Sequence, residues 1–219
     1  KMLSTSTNLF YSLSNTHEDM SRVDMYKQKE KREVFKNSFS DIEDYLSSLK
    51  LEINFHEKLL DIIPRLSQIT QKTNQFNLIT RRYTEKDIES LIHDRSVKIF
   101  AFSVKDKFGD NGITGLCIVK NIKEKKVAKI DTLLMSCRII GRNIEYAFFD
   151  ALINALKKDK ITTVTAKYIK SFKNKQVSHF YDNCSFSVID SNDYETSYNL
   201  NVSDYKEKNL SYIKVLNVK

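Results

Sequence analysis

Cysteine is scarce in this 219-residue sequence, and what there is does not form a pattern. Cys117, Cys137 and Cys184 are odd in number, widely spaced and without a C-x-x-C pair, which argues against a disulfide framework and against a zinc site. The four histidines are scattered and supply no missing ligands, so no metal is expected. Long hydrophobic runs are also lacking. Nothing approaches the roughly 18 uninterrupted apolar residues of a membrane span, and the opening KMLSTSTNLFYSLSN has neither the apolar core nor the cleavage site of a secretory signal. These absences predict a cytoplasmic chain with no membrane partner. Internal repeats and low-complexity tracts are missing too.

What is present suits a folded α/β protein. Hydrophobic residues make up 41% of the chain, enough for a core, and charged residues 29%, an ordinary surface, so wholesale disorder is excluded. The length accommodates one main domain with an extra segment. A net charge of +8 favours acidic partners such as phosphorylated cofactors, an acidic carrier protein or nucleic acid, or else reflects lysines spread over solvated faces. No nucleic-acid motif concentrates the charge, so no nucleic-acid partner is expected.

In chain order, Thr16 with Asp19 gives a start signal for a charged helix reaching about Phe35, and Ser40 with Glu43 opens a second helix. Leu51, Ile53 and Phe55 alternate as a strand. Leu59, Ile62, Ile63, Leu66, Ile69 and Thr73 outline a long helix with Pro64, the single proline, in its first turns. Its far end becomes polar. Gln71, Lys72, Thr73, Asn74, Gln75, Asn77, Arg81 and Arg82 put many hydrogen-bonding groups beside two fixed cations, as a site for a small polyhydroxylated or carboxylated group would, or as a solvated helix end would. Thr84 with Asp87 starts a short helix, and three strand-like runs follow, VKIFAFSVKD, GITGLCIVKN and KVAKIDTLLMS, the first two joined as a hairpin through Phe108 to Gly112.

The third run leads into Ile130 to Asp150, IDTLLMSCRIIGRNIEYAFFD, a strand entering a basic, glycine-bearing turn and then an amphipathic helix. Arg138, Ile139, Ile140, Gly141, Arg142 and Asn143 therefore offer backbone N–H groups, two guanidiniums and a helix N-terminus to a phosphate. The helix carries Ile144, Phe148, Leu152 and Leu156 on one stripe, with Lys157, Lys158 and Lys160 at its negative end. A strand ITTVTAKYI, a short helix through NKQVSHFYDNC and the closing strands SFSVI, TSYNLNV and SYIKVL complete a mixed α/β layer structure.

R-I-I-G-R-N after a strand, with H-F-Y-D-N-C-S-F further on, resembles the GNAT acyltransferase superfamily. Arg138 and Gly141 match the superfamily turn, while Asn143 and Ser185 stand where it has smaller residues. The resemblance implies a GNAT-like, mostly antiparallel mixed sheet flanked by helices, with the turn holding the pyrophosphate of coenzyme A or the phosphopantetheine of a carrier protein. It also implies that Tyr181 protonates the departing thiolate. IPRLSQITQKTNQFNLITRRYT and LMSCRIIGRNIE more narrowly resemble the FkbH-like proteins, in which a haloacid-dehalogenase (HAD) type phosphatase is fused to a GNAT-like transferase. On that resemblance residues 1–37 are a helical junction to a HAD-like phosphatase domain, residues 38–219 are the transferase domain, and no D-x-D-x-T phosphatase loop is found. It implies movement of a short, glyceryl-like acyl group from a small donor, through an enzyme cysteine thioester, to an acyl carrier protein, with the phosphatase acting in cis or in trans.

Cys137 is the candidate nucleophile, because it stands between the strand end and the basic turn. Cys117 and Cys184 lack basic neighbours and read as packing. Asp131 shares strand parity with Cys137 if the strand is regular, so it could orient a base or bind substrate. His179 could carry a proton, although residues two apart on a helix point apart, so Tyr181 and His179 do not meet by spacing alone. Asn74, Asn77, Arg81 and Arg82 are candidates for substrate or carrier recognition. Two other functions compete: direct N-acetyl transfer from acetyl coenzyme A without an acylated cysteine, and a non-catalytic carrier-docking module.

Overall fold

The computed structural model describes residues 22–122 and 126–217. Among the described residues two helices come first, α1 (Arg22–Lys36) and α2 (Ile42–Ser48), followed by strand β1 (Leu51–Phe55), helix α3 (Ile63–Lys72), the two-residue strand β2 (Phe76–Asn77) and helix α4 (Glu85–His93). The Thr16–Asp19 signal lies outside the described residues. Helix α2 is capped by Asp41, whose carboxylate accepts from the Glu43 N–H at 2.6 Å, one residue later than the Ser40 signal suggested. The long helix expected from Leu59 is divided, with a 3-10 turn over Leu60–Ile62 before α3, whose first turn holds Pro64 where its missing N–H costs least. Thr84 and Asp87 form the expected reciprocal capping pair at α4.

The strands β3 (Val97–Asp106), β4 (Gly109–Ile122) and β5 (Val127–Met135) form an antiparallel meander, helix α5 (Ile144–Lys158) crosses to β6 (Thr163–Ile169), and α6 (Phe180–Asn183) precedes β7 (Ser187–Ser191), β8 (Glu195–Asn201) and β9 (Ile213–Leu216). The sheet runs β7-β8-β6-β5-β4-β3-β1-β9, antiparallel except at β5–β6 and β1–β9. One face packs on α2, α5 and α6, where Phe148, Phe149, Leu152 and Leu156 of α5 are fully enclosed. The other face packs on α3 and α4 through Leu66, Ile69 and Ile88.

Two features of the sheet position the site. Strands β5 and β6 pair only from Val127–Lys129 to Thr163–Thr165 and then diverge. The fork is filled by the chain's own β2: Phe76 and Asn77 pair with Met135 and Leu134, the Leu78 N–H donates to Leu133 O at 3.1 Å, and the Ile169 N–H donates to Leu78 O at 2.8 Å. Both fork edges thereby satisfy their backbone groups at these positions. Gly115 on β4 sits across from Phe102, and a Cβ there would lie 1.9 Å from the ring. Phe102 stacks on Phe148 at 4.5 Å and is 1% exposed, so the ring is enclosed on its other sides as well. Gly115→Ala is expected to cost about 2–3 kcal/mol of overpacking strain, read as a lower urea midpoint at unchanged m.

Candidate functional site

Strand β5 ends where the Ser136 N–H donates to Thr114 O at 2.7 Å. The chain then tightens into a 3-10 turn over Cys137–Ile139, pinned by Ile139, which is fully buried. Gly141 has φ +81, the left-handed region that favours glycine, yet a Cβ there would meet nothing within 4 Å. Its glycine serves the dihedral and leaves open space at the turn surface. Asn143 is also left-handed, φ 59, a conformation asparagine tolerates, and its side chain is spent on a 2.8 Å bond to the Tyr212 hydroxyl. Cys137 is exposed at the start of this turn; Cys117 and Cys184 are buried, and burial pushes both their thiols up.

The two arginines of the turn have different roles. Arg138 is half-buried, with its Nε donating to Ser136 Oγ at 3.2 Å. Arg142 turns inward: it donates to Asp106 Oδ2 at 3.1 Å and to the Arg138 carbonyl at 2.9 Å. That second guanidinium is therefore committed to the interior rather than offered to a phosphate. Along the chain, Gly141 with its open space lies between Arg138 and the positive end of the fifteen-residue α5.

Glu145, in the first turn of α5, has Oε2 buried without a partner among the described residues. Burial raises its pKa, offset in part by a bond to its own backbone. A carboxyl whose folded pKa lies above its unfolded value binds its proton more tightly in the native state, so stability falls as pH rises from the unfolded pKa through the folded one. Glu145→Gln is accordingly expected to raise the thermal midpoint at pH 7 to 8, with the difference from wild type shrinking as pH falls towards 4.5. An equal difference at both pH values would disprove the assignment.

Asp131 does not share a face with Cys137. Ile118 pairs with Thr132 and Val119 with Ile130, so Asp131 is the extra residue of a β-bulge, and parity is lost between it and the turn. Its carboxylate faces α3 and α4, where it meets the Tyr83 hydroxyl, Arg81 Nη1 at 2.5 Å and Lys120 Nζ at 3.1 Å. Burial pushes its pKa up, but the bonds from Tyr83 and Lys120 and the charge of Arg81 outweigh that and hold it below the usual carboxylate range.

The polar stretch after α3 is largely spent within the chain. Asn77 is fully buried, donating to Thr73 O at 3.2 Å and accepting from the Thr80 N–H at 2.8 Å. Arg82 closes the end of α3 by bonding the carbonyls of Thr70 and Thr73 and the side chain of Asn74. Through β2 this segment lies along the last residues of β5, with Phe76 opposite Met135, two residues before Cys137.

No family model and no curated protein matches the sequence. Among solved structures, the ribosomal-protein-S18-alanine N-acetyltransferase of Escherichia coli superposes with a TM-score of 0.53 at 15% identity, over 72% of this chain and 97% of that one. The spermidine N-acetyltransferase of Vibrio cholerae in complex with CoA and spermine superposes with a TM-score of 0.52 at 14% identity, over 71% and 98%. The fold is GNAT-like. At these identities the likeness is one of fold, and the site must be argued from this chain's own residues.

Within the GNAT-like fold, Tyr181 lies inside the core rather than at a surface. It is 1% exposed, packed among Phe149, Phe180, Phe186 and Tyr198, and its hydroxyl is buried without a partner among the described residues. Burial raises its pKa well above the usual tyrosine value. A group so placed cannot touch a leaving thiolate in this conformation. Tyr181→Phe is expected to keep any transfer activity and to leave stability equal or higher by about 1 kcal/mol, because an unsatisfied buried hydroxyl is removed; a hundredfold loss of turnover in a fully folded variant would restore the proton-donor role. His179 is a surface residue, 83% exposed, with Nδ1 at 3.4 Å from Asp182.

Sequence reasoning missed Arg32, Asp106, Tyr83 and Glu145. Asp106 closes the strand VKIFAFSVKD and looks like any solvated strand end, yet it is 3% exposed. Its partners lie 74 and 36 residues away, a separation that leaves no local signal. Among the described residues no helix is long and apolar enough to cross a membrane, and no group of three or more His, Cys, Asp or Glu is placed to hold a metal.

Proposed function

We propose that this chain is an acyltransferase that carries a short, glyceryl-like acyl group on Cys137 and passes it to the phosphopantetheine thiol of an acyl carrier protein. The observation that carries the reading is the placement of Cys137, the exposed cysteine of the three, at the point where β5 enters the turn leading to α5. The Cys137 thiolate adds to the carbonyl of an activated acyl donor, the donor's bond to its leaving group breaks, and the acyl group remains as a thioester on Sγ. The carrier thiol then gives its proton to solvent base and attacks the same carbonyl, which returns Cys137 as thiolate. Arg138 and the N-terminus of α5 hold the phosphate of the arm, and β2 lies beside the last residues of β5, with Phe76 opposite Met135 two residues before Cys137.

An acyl coenzyme A thioester is the alternative donor, and the GNAT-like fold favours a second reading: direct attack of an amine on that thioester, with no acylated cysteine and coenzyme A leaving as the thiol. Intact-mass measurement of the purified chain after incubation with acetyl coenzyme A separates the two. A mass gain that hydroxylamine removes is expected; product formation without any adduct would replace the proposal by the second reading.

A further inference from the structure

We infer that helix α1 positions the turn 138–143 through a buried Arg32–Asp106–Arg142 triad, so that ligand binding at the turn depends on how α1 is docked. The inference rests on the reading that the turn takes a phosphate.

The triad bridges three distant parts of the chain. Asp106, at the end of β3, accepts from Arg32 of α1 at both oxygens, Nε to Oδ2 at 2.6 Å and Nη2 to Oδ1 at 3.1 Å. The same Oδ2 accepts from Arg142 Nη1 at 3.1 Å, and Oδ1 also takes the Phe108 N–H at 2.9 Å. Both oxygens are thus saturated, and the fork-to-fork geometry at Arg32 fixes the carboxylate plane. Arg142 is left with one defined direction, and its other nitrogen bonds the Arg138 carbonyl at 2.9 Å. The turn is braced from within at both its basic residues, and the brace is anchored on α1.

Burial makes the coupling consequential. The side chains of Arg32 and Asp106 are 5% and 0% exposed, and that of Arg142 is 11% exposed. Two guanidiniums share one carboxylate away from solvent, so neither can relax cheaply if the other leaves. Helix α1 is held to the domain by this pair, by the Phe35 ring against Phe108 at 5.5 Å, and by Lys107 lying over Phe35. Helix α1 is thus docked through Arg32 and Phe35, while Tyr26 and Val34 stay exposed, and whatever loads or shifts α1 reaches Arg138 through the three side chains of the triad.

The test is coenzyme A binding by calorimetry on the full chain, comparing wild type with Arg32→Gln and with the milder Arg32→Lys, each at a temperature where far-UV circular dichroism shows it folded. The rate of Cys137 alkylation by iodoacetamide is measured in parallel; Cys117 and Cys184 are buried and do not contribute. Arg32→Gln is expected to weaken coenzyme A binding by about tenfold, within the range usual for coupled sites, and to change the alkylation rate, with Arg32→Lys between it and wild type. A lowered thermal midpoint with unchanged affinity and unchanged alkylation in the folded variants would make the triad a structural brace only and overturn the inference. If Arg32→Gln does not fold, Arg32→Lys is read by the same criteria. Failure of wild type to bind coenzyme A would instead count against the phosphate reading of the turn, and the alkylation rates would then decide whether the coupling exists.

Discussion

Cys137→Ser is expected to abolish the hydroxylamine-sensitive acyl adduct while leaving the fold intact. The side chain is exposed at the first residue of the 3-10 turn, so exchanging sulfur for oxygen removes no core contact and should move stability by no more than about 0.5 kcal/mol. The chemistry is affected much more. A serine hydroxyl at neutral pH is a far weaker nucleophile than a thiol unless a neighbouring base activates it. None of the three other catalytic candidates supplies such a base beside Cys137: Asp131 is turned towards Tyr83 by the bulge, Tyr181 is enclosed, and His179 sits on the surface with Asp182. Mass spectrometry of wild type and variant after the same incubation measures the difference, and an equal adduct on both would move the acylated residue elsewhere.

Asp106→Asn is expected to give the largest loss of stability in the chain, about 3–5 kcal/mol, because it leaves two buried guanidiniums facing each other without their shared counter-charge. The comparison that makes the number meaningful is Asp131→Asn. Both carboxylates are buried and each meets two cations, but Arg81 and Lys120 are 49% and 46% exposed whereas Arg32 and Arg142 are 5% and 11% exposed. Water can screen the partners of Asp131 and cannot screen those of Asp106. Urea denaturation of the two variants should therefore rank Asp106→Asn well below Asp131→Asn; the reverse order would mean that burial of the partners is not what sets the cost.

The sequence was legible where its signal is local. The alternation of Leu51, Ile53 and Phe55, the Thr84–Asp87 capping pair, the stripe of Ile144, Phe148, Leu152 and Leu156, and the strand-turn-helix from Ile130 to Asp150 all lie within a few residues of what they specify. Periodicity reports which face is buried, and a cap reports where a helix starts. For the same reason the mixed, mostly antiparallel sheet followed from the order of the elements.

The site was less legible, because a polar side chain does not announce its partner. Asn77 and Arg82 read as possible ligands for a substrate, and folding spends them on the end of α3 and on the turn that follows it. Arg142 read as a phosphate ligand beside Arg138, and folding turns it inward to Asp106. Asp131 read as a neighbour of Cys137 until a one-residue bulge moved it to the opposite helical layer. By itself the sequence determined the elements, the faces they bury and the strand-turn-helix that ends β5. Only the tertiary structure decided which cations stay at the turn and which are locked inside, that β2 fills the fork between β5 and β6, and that α1 reaches the turn through Asp106. Such choices depend on groups 36 and 74 residues apart meeting in a space closed to water, where each charge and backbone group must find a partner within the chain.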